Sequence, residues 1–167
     1  MIELRDFQPG DELALRAVFE SAIRETARRD YSQEQVEAWA PREFDPALWA
    51  SRMRRVAPFV ATRDGEIAGY ADVQRAGLID HFFVAAGAGG QGVGGALMRR
   101  LLARAEELGL AEVNSLVSLT AEPFFAHFGF EVLERHVFDL RGVEMRNALM
   151  RRRLRPHGMT DGLSRSL

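Results

Sequence analysis

Six glycines fall within residues 87–95 of the stretch VAAGAGGQGVGGALMRRLL, and apolar residues at helical spacing follow them at once. Glycine lets a backbone approach a ligand closely, and a helix N-terminus carries about half a positive charge. Phosphate or pyrophosphate is the natural guest of such a loop. A plain strand-to-helix connection needs only one or two glycines, so this many ask for a ligand. A few residues upstream, Asp80 and His81 stand next to each other, and both side chains are able to move a proton. Neighbours on a strand face opposite ways, so only one of the two points easily into a given cleft.

The glycines match one phosphate-binding pattern, in two registers, in their letters alone. Residues 87–92 and 90–95 both read GxGxxG. A dinucleotide fold, however, places that loop after its first strand and an acidic residue at the close of the next. Here several elements come first, and Glu112 opens its strand. A nucleotide P-loop is excluded because no Lys-Ser or Lys-Thr pair follows the glycines.

The elements that must position these residues are legible in the periodicity. Residues 2–7 alternate as a half-buried strand does, and Leu13, Leu15, Val18, Phe19, Ala22 and Ile23 form one face of a first helix. Ser32 and Gln35 have the spacing of a capping box for a short helix that Pro41 ends, and Asp45-Pro46 is a second helix start. Residues 59–63 and 66–73 read as a hairpin around Asp64-Gly65, and Gly77 turns the chain into a third strand over 78–84. From Gln91 a helix carries Val93, Leu97, Leu101, Ala105 and Leu108 on one stripe and stops at Gly109. A strand at 112–119, a short helix over 121–127 capped by Thr120, and two final strands at 130–140 and 143–154 follow. The expectation is a single α/β domain with a mixed sheet over residues 1–154, and a frayed tail at 155–167.

Composition bounds the function. With 167 residues, 47% hydrophobic and 28% charged, the chain is globular and long enough to bury its own core. It has no cysteine, which rules out a disulfide framework, a thiolate nucleophile and a thiolate metal site; no metal is expected. A net charge of −2 gives no global attraction to nucleic acid, and the arginines of residues 150–155 read as a solvated strand end. No apolar run approaches the roughly 20 residues of a membrane span. A soluble, cytoplasmic protein that binds neither membrane nor nucleic acid is expected.

Gln91-Gly-Val-Gly-Gly-Ala96 fits Q/R-x-x-G-x-G/A, the signature of the GNAT superfamily of acyl-CoA-dependent N-acyltransferases, and two further segments resemble that family. Phe82-Phe-Val84 ends a strand at the matching distance upstream. Residues 118–130, SLTAEPFFAHFGF, resemble the downstream segment N-x-x-A-x-x-F-Y-x-x-x-G-F. The element order is similar to the family over residues 2–154, and the specific motifs cover residues 78–130. Residues 30–41 and 141–143 resemble, more loosely, a bacterial branch of uncharacterised GNAT proteins.

The resemblance implies a mostly antiparallel central sheet of about seven strands, flanked by helices and splayed to admit acetyl-CoA. Its pyrophosphate would lie on the amides of Gln91, Gly92, Val93, Gly94, Gly95 and Ala96, and its pantetheine would pair with the strand edge at Phe83 and Val84. Backbone donors near Phe83 would hold the tetrahedral oxyanion. Asp80 and His81 are the candidate bases, and the family's frequent use of a carboxylate on this strand favours Asp80; a structural role is the alternative for each. Ser118 stands where the family often has asparagine, as a more modest cofactor contact. Phe125 stands where the family commonly has the tyrosine that protonates the departing thiolate, so it is expected to border the cofactor sulfur without donating. Tyr31 and Trp39 lie in the segment that usually covers the acceptor, and either shape that site or pack. The implied activity is transfer of acetyl from acetyl-CoA to the amine of a small molecule or peptide, with a homodimer as a further partner to test. A non-catalytic acyl-CoA or small-ligand sensor on the same fold is the rival, strengthened by Phe125.

Overall fold

The computed structural model describes residues 1–155; the tail expected at 155–167 lies, but for its first residue, outside the described residues. The chain runs β1 (Ile2–Asp6), α1 (Glu12–Ser21), α2 (Gln33–Trp39), α3 (Pro46–Val56), β2 (Phe59–Arg63), β3 (Glu66–Ala71), β4 (Phe82–Val84), α4 (Val93–Glu107), β5 (Glu112–Ser118), α5 (Glu122–His127), β6 (Glu131–Leu140) and β7 (Val143–Arg153). Beyond α1 the helix widens into a π turn at Ala22–Thr26 and then tightens into a 3₁₀ turn at Ala27–Arg29.

Local chemistry sets several of these boundaries. Ser32 and Gln35 form the reciprocal capping box of α2, and the Asp45 carboxylate accepts the amides of Ala47 and Leu48 ahead of α3, with Pro46 in the first turn. The β2–β3 turn puts Asp64 and Gly65 at φ 51° and 85°, the left-handed pair that a two-residue hairpin requires. The expected cap on α5 is not made. Thr120 Oγ1 donates to Asp30 Oδ2 at 2.8 Å instead, and Ser118 Oγ accepts the Ala121 amide at 3.1 Å.

The strands divide into two antiparallel groups, β1-β2-β3-β4 and β5-β7-β6. The groups touch in parallel at one point, where the Ile79 amide donates to Asn114 O at 2.8 Å and the Asn114 amide to Gly77 O at 2.9 Å. Gly77 is required there: its φ is +96°, and a Cβ would stand 2.7 Å from Glu112 O. Beyond this apex β4 and β5 are not paired with each other, so the sheet opens as a wedge.

Only Phe82–Val84 of the expected 78–84 strand joins the ladder. The reason is the Asp72 carboxylate, which accepts the amides of Asp80 (3.0 Å) and His81 (2.6 Å) and curls the preceding residues out of extended pairing. Two cores grip the first sheet. One gathers Val93, Leu97, Met98 and Leu101 of α4 with Phe125 and Phe130; the other gathers Leu15, Phe19, Ile23, Trp49, Met53 and Tyr70. Each fully buried aliphatic side chain of this kind contributes about 1.5–3 kcal/mol.

Candidate active site

The wedge encloses a cavity of about 430 Å³ whose walls come from the π turn after α1, from β4, from the glycine loop and α4, and from β5 and α5. Its β4 wall is an open strand edge. On the β3 side the Asp72 amide donates to His81 O and the Ala85 amide to Ala68 O, and Phe83 pairs with Tyr70 in the same register. Backbone direction alternates along a strand, so the polar groups of His81, Phe83 and Ala85 serve β3 while those of Phe82 and Val84 face the gap toward β5. Of the two β4 residues expected to meet a ligand through the backbone, Val84 has the free amide; the other free amide belongs to Phe82.

The cavity continues to the glycine loop. Gly89, Gly90, Gly92, Val93, Gly94 and Gly95 line it, and Gly92 stands at the N-cap position of α4, with φ 88° and no side-chain cap. The leading N–H groups of a helix without a cap have no intrahelical partner, and here they stand at the positive end of a 15-residue helix. Gln91, expected among these contacts, is exposed and does not line the cavity; Ala96 does not line it either.

Asp80 lines the cavity and is half exposed, whereas His81 is 7% exposed and lies behind the wall. The two remain close, with His81 Nε2 3.9 Å from Asp80 Oδ2. At the other ring nitrogen the imidazole meets Tyr70, whose hydroxyl is 3.2 Å from Nδ1. Burial lowers the His81 pKa to about 4, against a partial upward pull from Asp80, so the ring is neutral near pH 7. Beneath it, burial raises Asp72 to about 6, against the hydrogen bonds from the His81 amide and the Gln74 side chain. Asp72 and Tyr70 were not expected from the sequence to belong here. The available signal was a carboxylate closing an apolar hairpin strand just before the Gly77 turn.

Ser118 and Phe125 line the opposite wall together with Phe124. Phe125 is nevertheless 2% exposed, with rings of Phe82, Phe124 and Phe130 at centroid distances of 5.5, 5.9 and 5.0 Å. Trp39 lines the cavity while Tyr31 does not. Trp39 is held by the end of α2, where Arg24 donates to Ala40 O, Arg141 to Ala38 O and Arg16 to Pro41 O. Cations at a helix C-terminus satisfy its orphan carbonyls and its dipole together. Arg29 and Asp80 are the charged side chains of the cavity wall. No group of histidine, aspartate and glutamate residues suited to a metal ion occurs among the described residues, and no described helix is long and apolar enough to cross a membrane.

The wedge between the two strand groups opens onto an uncapped, glycine-led helix start, and comparison with known proteins gives the class of this arrangement. Residues 27–149 match the acetyltransferase (GNAT) domain family. The chain is 31% identical over 150 residues to the uncharacterized N-acetyltransferase YafP of Escherichia coli, covering 90% of this chain and 95% of that one. It is similar to the GCN5-related N-acetyltransferase structure from Rhodopseudomonas palustris, with 30% identity, a TM-score of 0.86 and coverage of 91% and 95%. Two more distant structures share the fold. They are the PaiA N-acetyltransferase of Thermoplasma acidophilum in complex with coenzyme A, at 17% identity, TM-score 0.70 and 92% and 99% coverage, and YncA of Salmonella typhimurium with acetyl-CoA, at 18%, 0.69 and 97% and 99%. The protein belongs to the GNAT acetyltransferase family.

Proposed function

We propose that the protein transfers an acetyl group from acetyl-CoA to the amine of a small molecule or peptide by direct attack. The observation that carries this reading is the continuity of one cavity from the free backbone edge of Phe82 and Val84 to the uncapped N-terminus of α4. An extended, amide-bearing chain with a pyrophosphate at one end fits that pair of features: the edge takes amides as a neighbouring strand would, and the helix start takes the anion. Coenzyme A bound to PaiA and acetyl-CoA bound to YncA, on the same fold, support the choice of donor.

Acetyl-CoA supplies the activated carbonyl. The neutral amine nitrogen adds to that carbon, the C–S bond then breaks, the thiolate leaves, and the nitrogen gives up one proton. The residues of this chain serve the steps around that exchange. A free β4 amide donates to the carbonyl oxygen as negative charge builds on it. Asp80, on the cavity wall, takes the amine proton directly or through water, with neutral His81 behind it as the second proton-moving group. Phe125 donates no proton, so the leaving thiolate, of ordinary pKa about 8.5, departs as the anion or takes a proton from water. Trp39 and the turn at Ala22–Thr26 shape the acceptor side.

Release of free CoA from acetyl-CoA across a panel of amines tests the reading. Amine-dependent release with an N-acetylated product is expected. Binding of acetyl-CoA without any release would replace the enzyme with a sensor.

A further inference from the structure

The strongest unassigned feature of the molecule is a break in the β5–β7 ladder. These strands pair from Glu112↔Arg153 to Ser118↔Asn147 without a shift of register, so the next rung belongs to Leu119 and Arg146. That rung is not made directly. The Leu119 amide donates to the Tyr31 hydroxyl at 3.0 Å, and the same hydroxyl donates to Arg146 O at 2.6 Å. A phenolic oxygen from the residue before the α2 cap thus occupies the place of one hydrogen bond. Two contacts in series hold the strands apart by roughly 2 Å more than a single rung would. The cavity wall of Ser118, Thr120 and Ala121 surrounds this point, and Thr120 is tied to Asp30, the residue before Tyr31.

We propose that Tyr31 is a positioning residue, a spacer whose hydroxyl holds the end of β5 away from β7 and so sets the donor-side wall of the cavity. Tyr31 reaches no ligand itself. It is 5% exposed, it does not line the cavity, its hydroxyl is engaged on both sides, and its ring packs edge-on against Trp39 at 5.3 Å. Because Trp39 does line the cavity, the segment that covers the acceptor is mechanically joined to the wall that faces the donor. The functional half of this inference rests on acetyl-CoA being the ligand of the wedge; the spacer itself does not.

Tyr31→Phe removes one oxygen and leaves a donor and an acceptor already in register. The Leu119 amide and Arg146 carbonyl then close on each other, and the 118–120 wall withdraws from the cavity. Three readouts follow: hydrogen exchange at the Leu119 amide, calorimetric affinity for acetyl-CoA, and steady-state kinetics. The expected result is a Leu119 amide that stays protected, acetyl-CoA affinity and KM weakened about tenfold, and kcat and the amine KM within twofold of wild type. Asp30→Ala, which cuts the same tie from outside the cavity and keeps the spacer, should hold wild-type affinity within twofold. If the Phe variant fails to fold, Tyr31→Met repeats the test without the hydroxyl. Fast exchange at Leu119 means that no rung re-forms and overturns the spacer; a protected amide with unchanged acetyl-CoA affinity overturns its role in the wall. Wild-type protein that binds no acetyl-CoA refutes the functional reading instead, and exchange at Leu119 still decides the spacer.

Discussion

The Asp72 carboxylate accepts the backbone amide of His81 at 2.6 Å, and through that contact the segment after β3 shapes the turn that carries both candidate bases, Asp80 and His81. Burial moves the two groups in opposite directions, Asp72 up to about 6 and His81 down to about 4. A depressed histidine contributes stability that is present above pH 6.5 and lost as pH falls toward 4; a raised carboxylate contributes stability that is present below pH 3.8 and lost as pH rises through 6. Between pH 6.5 and 4 the two oppose each other. Asp72→Asn keeps an oxygen to accept the amides, so its stability should fall on acidification through this window more steeply than that of wild type, by about 3 kcal/mol in all. His81→Gln should show the opposite slope. Denaturant unfolding at several pH values checks both, and parallel profiles for all three proteins would refute the assignment.

Asp80 and His81 are separated as candidate bases by the pH dependence of transfer. Asp80 lines the cavity and His81 does not, so Asp80→Asn should remove the acid limb and lower kcat by about 10²-fold while acetyl-CoA still raises the melting temperature. His81→Ala should leave the limb in place. If neither substitution alters the profile, a water chain to other groups is the base.

Two glycines of α4 predict different outcomes. A Cβ on Gly94 would meet the Phe124 ring at 3.2 and 3.3 Å, so Gly94→Val forces a cavity-wall ring to move and should abolish the thermal shift given by acetyl-CoA. At Gly95 the nearest atoms are the Arg99 guanidinium at 3.2 Å, the far end of a flexible side chain. Gly95→Ala should therefore fold normally and gain up to about 1 kcal/mol of helix stability in the absence of ligand. An unchanged ligand shift in Gly94→Val would remove the pyrophosphate from this helix start.

If Phe125 bordered the cofactor sulfur, as its place in the sequence motif implies, Phe125→Tyr would fold with near-normal stability. Its 2% exposure among three phenylalanine rings changes that expectation. An added hydroxyl without a partner costs roughly 1–3 kcal/mol, so a lowered melting temperature is the expected result. A variant with wild-type stability and faster transfer would show that the hydroxyl reaches the cavity and supplies the missing acid.

What the sequence determined by itself lies where cause and effect are neighbours along the chain. Ser32 reaches Gln35, Asp45 reaches Ala47 and Leu48, Asp64-Gly65 sets a turn, and the stripe of Val93, Leu97 and Leu101 faces one core; each follows from the periodicity or the capping chemistry of a few consecutive residues. The glycine loop belongs with them, because backbone freedom and a helix start are local properties. Tertiary structure alone decided the rest of the site. Thr120 left its cap for Asp30, 90 residues away, and the Tyr31 hydroxyl entered a rung at Arg146, 115 residues away. The β4 strand was cut short by the carboxylate of Asp72, and which of its amides stayed free depended on its register with β3. A side chain able to bond locally or at long range goes where folding places the better-aligned partner, and only three-dimensional packing fixes that alignment.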